Sequence, residues 1–184
     1  MPIKTALIIL AEGFEEIEAL TPIDILRRGN VEVTVAGLTS DSIQGAHKIT
    51  IQCDTLLLQC NTELFDAIIL PGGMPGTLNL LESPVTQEIL LKHYNNNKFC
   101  CAICAAPRVL DKVKLLVNRT YTCYPGTEKS IKSGVHQDLP VFKDGLIITG
   151  QSVGSAQAFS LEILKALQGE KTTQDVAEKI YYRH

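Results

Sequence analysis

The apolar positions of the chain fall into short continuous runs, separated by longer stretches in which one face only is apolar. Ile3 to Leu10 is an almost unbroken run of β-branched residues and leucine, the pattern of a strand buried on both faces. Gly13 breaks it. Glu15 to Arg28 follows, with Ile17, Leu20, Ile23, Ile25 and Leu26 mostly at helical spacing and Gly29-Asn30 as the stop. Val31 to Ala36 is a second apolar run. Strand, helix and strand in such quick succession predict a βαβ unit with parallel strands and a right-handed crossover.

The same alternation continues. Ile49-Thr50-Ile51 reads as a short edge strand, and Asp66 to Leu70 as a buried strand stopped by Pro71-Gly72-Gly73. Ser83-Pro84 opens a helix to about Asn95, with a serine cap and proline at its first position. Phe99 to Ile103 is the next strand and Ala106 to about Val113 the next helix. Thr120 to Cys123 reads as a strand, Phe142 to Thr149 as a hairpin turned at Lys143-Asp144-Gly145, and Ala156 to Leu167 and Thr173 to Tyr181 as helices. Tyr124 to Pro140 is irregular and predicted to wrap the surface. Strands alternating with helices define the α/β class, and the order predicts one domain over 1–184, a flavodoxin-like three-layer sandwich on a mostly parallel sheet. Sites in such sheets lie beyond the carboxyl ends of the strands. That singles out Ala11 to Phe14, Pro71 to Gly76, Cys104 to Pro107 and Gly150 to Ser155.

Composition narrows the function classes. Of 184 residues, 45% are hydrophobic and 20% charged, which excludes disorder. A net charge of −3 lacks the basic footprint that nucleic-acid binding needs. The longest uncharged stretches, Ala67–Leu81 and Gly145–Leu161, contain glycines and polar residues and are too short to span a bilayer. The early apolar run meets Glu12 too soon for a secretory signal, so a cytoplasmic location is expected. Six cysteines are too few for a disulfide scaffold in a chain of this length.

Chemistry concentrates in Phe99 to Pro107, FCCAICAAP. An apolar strand ends at Cys104, two alanines follow, and a helix begins. This is the logic of a nucleophile elbow, where small neighbours tolerate the crowding of a tight strand-to-helix turn. Free N–H groups there favour thiolate and stabilise an oxyanion. Cys101 and Cys104 also form a C-x-x-C pair, the rival redox or metal reading. In extended backbone, residues three apart face opposite sides of a sheet, which keeps the two thiols apart. Cys53, Cys60, Cys100, Cys101 and Cys123 read as small buried hydrophobes.

Glu12, Glu15 and Glu16 read as solvated complements to a helix dipole. Glu18, near Ile17 and Leu20, sits on the apolar side of its helix, where burial raises a carboxyl pKa and fits it for proton transfer. Pro71 to Gly76 lacks both the Walker and the dinucleotide pattern, and reads as a loop whose glycines let backbone N–H groups approach a ligand, or as a plain turn. Of the histidines, His93 reads as solvated, His184 as terminal, and His47 and His136 as surface residues. None has an evident place at the end of a strand.

Together KTALIILAEGFEEIEALTPIDILRRG, DAIILPGGMPG, FCCAICAAP and DGLIITGQSVGSAQAFSLEILKALQG resemble the DJ-one/ThiJ/PfpI superfamily, in its Parkinsonism-associated and YajL-like branch. The resemblance spans nearly the whole chain. It implies a homodimer, a reactive cysteine at Cys104, an acidic partner at Glu18 and backbone donors at Gly72, Gly73 and Ala105. It implies action on methylglyoxal-type carbonyls or glycated adducts and a response to oxidative stress, with neither metal nor organic cofactor. A redox-sensing chaperone and a peptidase- or amidotransferase-like hydrolase are the alternatives. The chain departs from the pattern at Tyr124, where many relatives carry histidine, and at Ser152-Val153-Gly154-Ser155, where relatives usually read G-P-G-T or G-P-G-S. His47 stands where relatives often have arginine near the dimer interface.

Overall fold

The first strand shows why the chain forms layers. In β1 (Lys4–Leu10) successive side chains point to opposite faces and all are apolar from Ala6 onward. Ala6, Ile8 and Leu10 enter one apolar cluster, and Leu7, Ile9 and the following Ala11 enter another. A strand of this kind must be covered on both sides.

The computed structural model describes residues 2–183. After β1 come α1 (Glu16–Arg28), β2 (Val31–Gly37), β3 (Ser42–Gln44), β4 (Thr50–Gln52), β5 (Thr55–Leu56) and β6 (Ala67–Leu70). Then follow α2 (Gly76–Glu82), α3 (Pro84–Asn95), β7 (Phe99–Ile103), α4 (Pro107–Lys112), β8 (Thr120–Tyr121) and β9 (Val135–His136). The chain closes with β10 (Val141–Asp144), β11 (Ile147–Gly150), α5 (Ala156–Gln168) and α6 (Glu170–Lys179).

The main sheet has seven strands in the order β10-β11-β7-β6-β1-β2-β5, parallel except for β10 against β11. Helices α1, α5 and α6 cover one face through Ile23, Leu26, Phe159, Ile163, Leu164 and Val176. Helices α2, α3 and α4 cover the other through Leu80, Ile89, Leu90, Val109 and Leu110. Each fully buried leucine or isoleucine in these layers contributes about 1.5–3 kcal/mol relative to exposure. The result is the flavodoxin-like sandwich that the alternation predicts. No helix among the described residues is long and apolar enough to cross a membrane.

Several local expectations change. Gly76, read as the end of the Pro71 to Gly76 loop, opens helix α2, which runs to Glu82. The strand near Ile49 is β4, and it pairs antiparallel with β3 outside the main sheet. Helix α6 starts at Glu170 rather than Thr173. In α1, Ile17 and Leu20 face outward at 50% and 38% exposure, and the inner face is Glu18, Ala19, Pro22, Ile23, Ile25 and Leu26. His93 is fully buried rather than solvated. Its Nε2 accepts the Phe65 N–H at 3.0 Å and its Nδ1 pairs with the Ile89 carbonyl at 2.7 Å. It therefore closes the turn before β6 from inside the core.

Candidate active site

At the carboxyl ends of β1, β6 and β7, three loops meet. β7 ends at Ile103 and α4 begins at Pro107, so Cys104 makes the turn between them. Its φ is +64°, in the left-handed region that residues with a side chain rarely adopt. Such a conformation costs on the order of 1–3 kcal/mol and persists only where the surroundings hold it. Here the Cys104 N–H donates to the Gly150 carbonyl at 3.0 Å, and the Cys104 carbonyl accepts the Tyr124 N–H at 2.9 Å. The first bond comes from the end of β11, the second from the segment after β8.

The positive φ also ends the strand alternation. Cys101 lies inside the apolar cluster under α1 and α5, and Cys104 borders that same cluster. The expectation that the two thiols face opposite sides of the sheet holds only for extended backbone, which stops at Ile103. All six cysteines are free thiols, and Cys104 alone among them is partly exposed.

The Pro71-Gly72-Gly73 loop packs on the start of α1. The Gly72 carbonyl accepts the Glu15 N–H at 2.9 Å. Gly73 has φ +92°, and a Cβ there would lie 2.3 Å from the Glu15 nitrogen, so no larger residue fits. A Cβ on Gly72 would sit 2.7 Å from the Cys104 Cβ, 3.1 Å from its Sγ and 2.6 Å from Glu18 Oε2. The bare backbone at Gly72 is therefore the floor between the thiol and the carboxyl.

Glu18 is fully buried. Its Oε2 accepts the Gly72 N–H at 2.9 Å; its Oε1 is shut off from solvent with no hydrogen-bond partner among the described residues, and the Cys104 thiol and Glu15 act on the carboxyl electrostatically. The inward position of Glu18 was anticipated from Ile17 and Leu20, yet those two point away; Ala19 and Pro22 share its face. Gly72 was expected to donate its N–H to an oxyanion, but Glu18 takes that N–H. The amides that act on the sulfur are those of Gly73 and Ala105.

Burial drives the electrostatics of the pair. Desolvation lifts the Glu18 carboxyl from 4.5 to about 7, against the lowering effect of Cys104 and the Gly72 amide and with a smaller push from Glu15. Burial also raises the Cys104 thiol, and the Glu18 carboxylate raises it further, while the Ala105 and Gly73 amides pull it down. The contribution of Glu18 depends on its proton. Ionised, it is a like charge and an acceptor; protonated, it is a donor that favours thiolate.

The neighbouring acids divide differently from the expectation. Glu12 is exposed. Glu16 is buried, not solvated, because it accepts the His47 and Ile49 N–H groups and meets His47 Nδ1 at 2.9 Å. His47 Nδ1 also lies 3.6 Å from Glu15. The partner of Glu16 is 31 residues away in sequence, which hides the pairing from any local pattern. Tyr124, in the place of the family histidine, is half-exposed and reaches the elbow through its backbone N–H. In the departing Ser152–Ser155 segment, Ser155 Oγ accepts from the Gln151 and Ser152 N–H groups and bonds back to the Ser152 carbonyl, closing a turn that needs no proline. His184 lies outside the described residues.

A parallel α/β sandwich with a cysteine on a strained strand-to-helix turn and a buried glutamate against it defines a known class. Residues 4–166 match the DJ-1/PfpI family, and the chain belongs to it. The chain is 36% identical over 178 residues to Protein dj-1beta of Drosophila melanogaster, covering 95% of each. It is 33% identical over 179 residues to the glutathione-independent glyoxalase DJR-1.2 of Caenorhabditis elegans, covering 96% of each. The crystal structure of Drosophila melanogaster DJ-1beta superposes with a TM-score of 0.97 at 34% identity over all of both chains.

Proposed function

We propose that this chain is a cysteine-based protective protein of the DJ-1 type that acts on small reactive 2-oxoaldehydes such as methylglyoxal. The observation that carries the reading is the pairing of a partly exposed, conformationally strained Cys104 with a buried Glu18 whose proton exchanges near neutral pH. A relative 33% identical over 96% of the chain bears the name of a glutathione-independent glyoxalase. In the proposed reaction the Cys104 thiolate adds to the aldehyde carbon, and the oxygen of the resulting hemithioacetal faces the Gly73 and Ala105 amides. Glu18 takes the proton from that carbon and returns it to the adjacent ketone carbon, while the proton that left the Cys104 thiol ends on the ketone oxygen, which becomes a hydroxyl. Water then cleaves the thioester, releasing a 2-hydroxy acid and restoring the thiol. These steps use protein groups and water, and glycated adducts are substrates of the same chemistry.

The protein acts in this reading as a homodimer in a reducing compartment such as the cytoplasm. Ile17 and Leu20 on α1 and Ile49 beside β4 supply exposed apolar surface for a second copy. Sedimentation at micromolar concentration is the check, and a monomer contradicts it. Methylglyoxal consumption by purified protein tests the chemistry: activity above background in the wild type and none in Cys104→Ser is expected. Wild-type turnover equal to that of Cys104→Ser overturns the reading.

Two observations favour a second reading, redox sensing with little turnover. Cys104 is the single accessible thiol, and Tyr124 provides no imidazole where many relatives carry one. Mild peroxide should then add two oxygens at Cys104 and leave Cys53, Cys60 and Cys123 unchanged by peptide mass spectrometry. Equal oxidation of all four removes the basis for this reading. A peptidase-like reading lacks an imidazole at the elbow.

A further inference from the structure

The irregular segment that follows β8 holds a second group of chemistry-bearing side chains. Cys123 lies just past β8, Glu128 on the 3-10 turn Thr127–Ser130, and His136 on β9. β8 and β9 pair in parallel, with Tyr121 opposite His136. One ligand atom from each of Cys123, Glu128 and His136 lies within 4.8 Å of the other two. Cys123 is fully buried, and Glu128 and His136 are half-buried. His136 Nε2 is itself shut off from solvent and has no hydrogen-bond partner among the described residues. Leaving such a nitrogen unsatisfied is unfavourable, because its lost hydration is not replaced.

We propose that Cys123, Glu128 and His136 form a metal site for a borderline-soft divalent cation of the zinc type. Thiolate, imidazole and carboxylate are the three ligand classes that zinc takes, and three protein ligands plus a water complete its tetrahedron. Zinc bond lengths place tetrahedral ligand atoms roughly 3.3–3.6 Å apart, so side chains whose ligand atoms lie within 4.8 Å of one another close on the ion by at most about 1.5 Å. The thiol excludes a magnesium- or calcium-type assignment, since those ions take oxygen ligands. On binding, the Cys123 thiol gives its proton to solvent and the orphaned His136 Nε2 gains a partner. The other histidine-carboxylate group, Glu15, Glu16 and His47, differs: His47 Nδ1 is already paired with Glu16 Oε2 and Glu16 Oε1 faces two backbone N–H groups, whereas Glu128 takes the Gly126 N–H on Oε2 at 2.6 Å and His136 Nε2 has no partner among the described residues. The site is separate from Cys104, although Tyr124, the residue after Cys123, holds the Cys104 carbonyl.

Cobalt(II) titration of the reduced full-length protein tests this, followed by thiolate-to-cobalt absorption and by native mass spectrometry. A Cys104→Ser background removes the elbow thiol as a source of the signal. One equivalent with a thiolate band is expected in that background, displaced by zinc and unaffected by magnesium. Cys123→Ser should abolish the band. His136→Gln and Glu128→Gln should weaken binding by at least about tenfold, the loss that even outer-shell changes bring. His136 lies on a short, partly exposed strand, so His136→Gln, checked by circular dichroism, decides the matter if Cys123→Ser fails to fold. No thiolate band in Cys104→Ser, a band that survives Cys123→Ser, or binding lost in His47→Gln but kept in His136→Gln would each overturn the proposal.

Discussion

Replacing Glu18 by glutamine should remove a specific slope from the dependence of stability on pH. Glutamine keeps an oxygen for the Gly72 N–H, at 2.9 Å in the wild type, and cannot ionise. In the folded chain burial lifts the Glu18 carboxyl from 4.5 to about 7. The folded state therefore holds a proton that the unfolded state has already released between those two values. Stability falls wherever the folded state binds more protons, so this group's contribution is complete below pH 4.5 and gone above about 7. At about 1.36 kcal/mol per pH unit the loss is on the order of 3 kcal/mol. For a chain of this size that is roughly 6–12 °C in Tm. Urea unfolding of wild type and Glu18→Gln under reducing conditions across that range measures it. The stability of Glu18→Gln minus that of wild type should rise with pH by this amount. Taking the difference cancels other titrating groups, including buried His93, whose own contribution runs the opposite way. Parallel profiles for the two proteins would refute the claim that Glu18 holds its proton in the folded state.

Other expectations follow from the same geometry. Gly72→Ala places a Cβ 2.7 Å from the Cys104 Cβ and 2.6 Å from Glu18 Oε2, so it should cost about 1–3 kcal/mol and slow alkylation of Cys104; unchanged alkylation kinetics would show that the loop gives way freely. His93→Ala leaves a cavity and a buried Phe65 N–H without an acceptor, and should destabilise by about 2–5 kcal/mol in chemical denaturation; a loss under about 1 kcal/mol would mean that water replaces the ring. The His47 imidazole should titrate above 6.5 by NMR, because its hydrogen bond to Glu16 and the charges of Glu15 and Glu16 favour the protonated form. Glu16→Gln should bring it back towards 6.5. The contribution of His47 to stability is present below 6.5 and lost as pH rises through its raised folded value.

The central layers were legible because their signals are local. The apolar runs of β1, β6 and β7 and the stripe of α5 each announce their own burial. What the sequence hid depends on partners far along the chain. His93 looked like a polar-face residue because its partner, the Phe65 N–H, lies 28 residues earlier. Glu16 looked solvated because His47 and Ile49 come from the loop before β4. Cys104 and Glu18 were found from an elbow pattern and from a carboxyl near an apolar face. The commitment of the Gly72 N–H to Glu18 was not foreseeable, since a glycine-rich loop specifies freedom of approach and not which group takes each amide. Helix α2 was missed because it begins at Gly76 after a run of turn-forming residues, and no cap marks its start. The Cys123, Glu128 and His136 group sits largely in the irregular stretch, where no periodicity brings its members together.

The distribution of the cysteines has a practical consequence. Five sulfurs are enclosed by packed side chains, and one stands at the mouth of the elbow. In the folded state the chain behaves towards bulky thiol reagents as a single-cysteine protein, with no need to engineer the others away. A fluorophore or spin label added under native conditions reports from one address. Any second label taken up then measures how often the core opens, and turns five silent thiols into a clock for local unfolding.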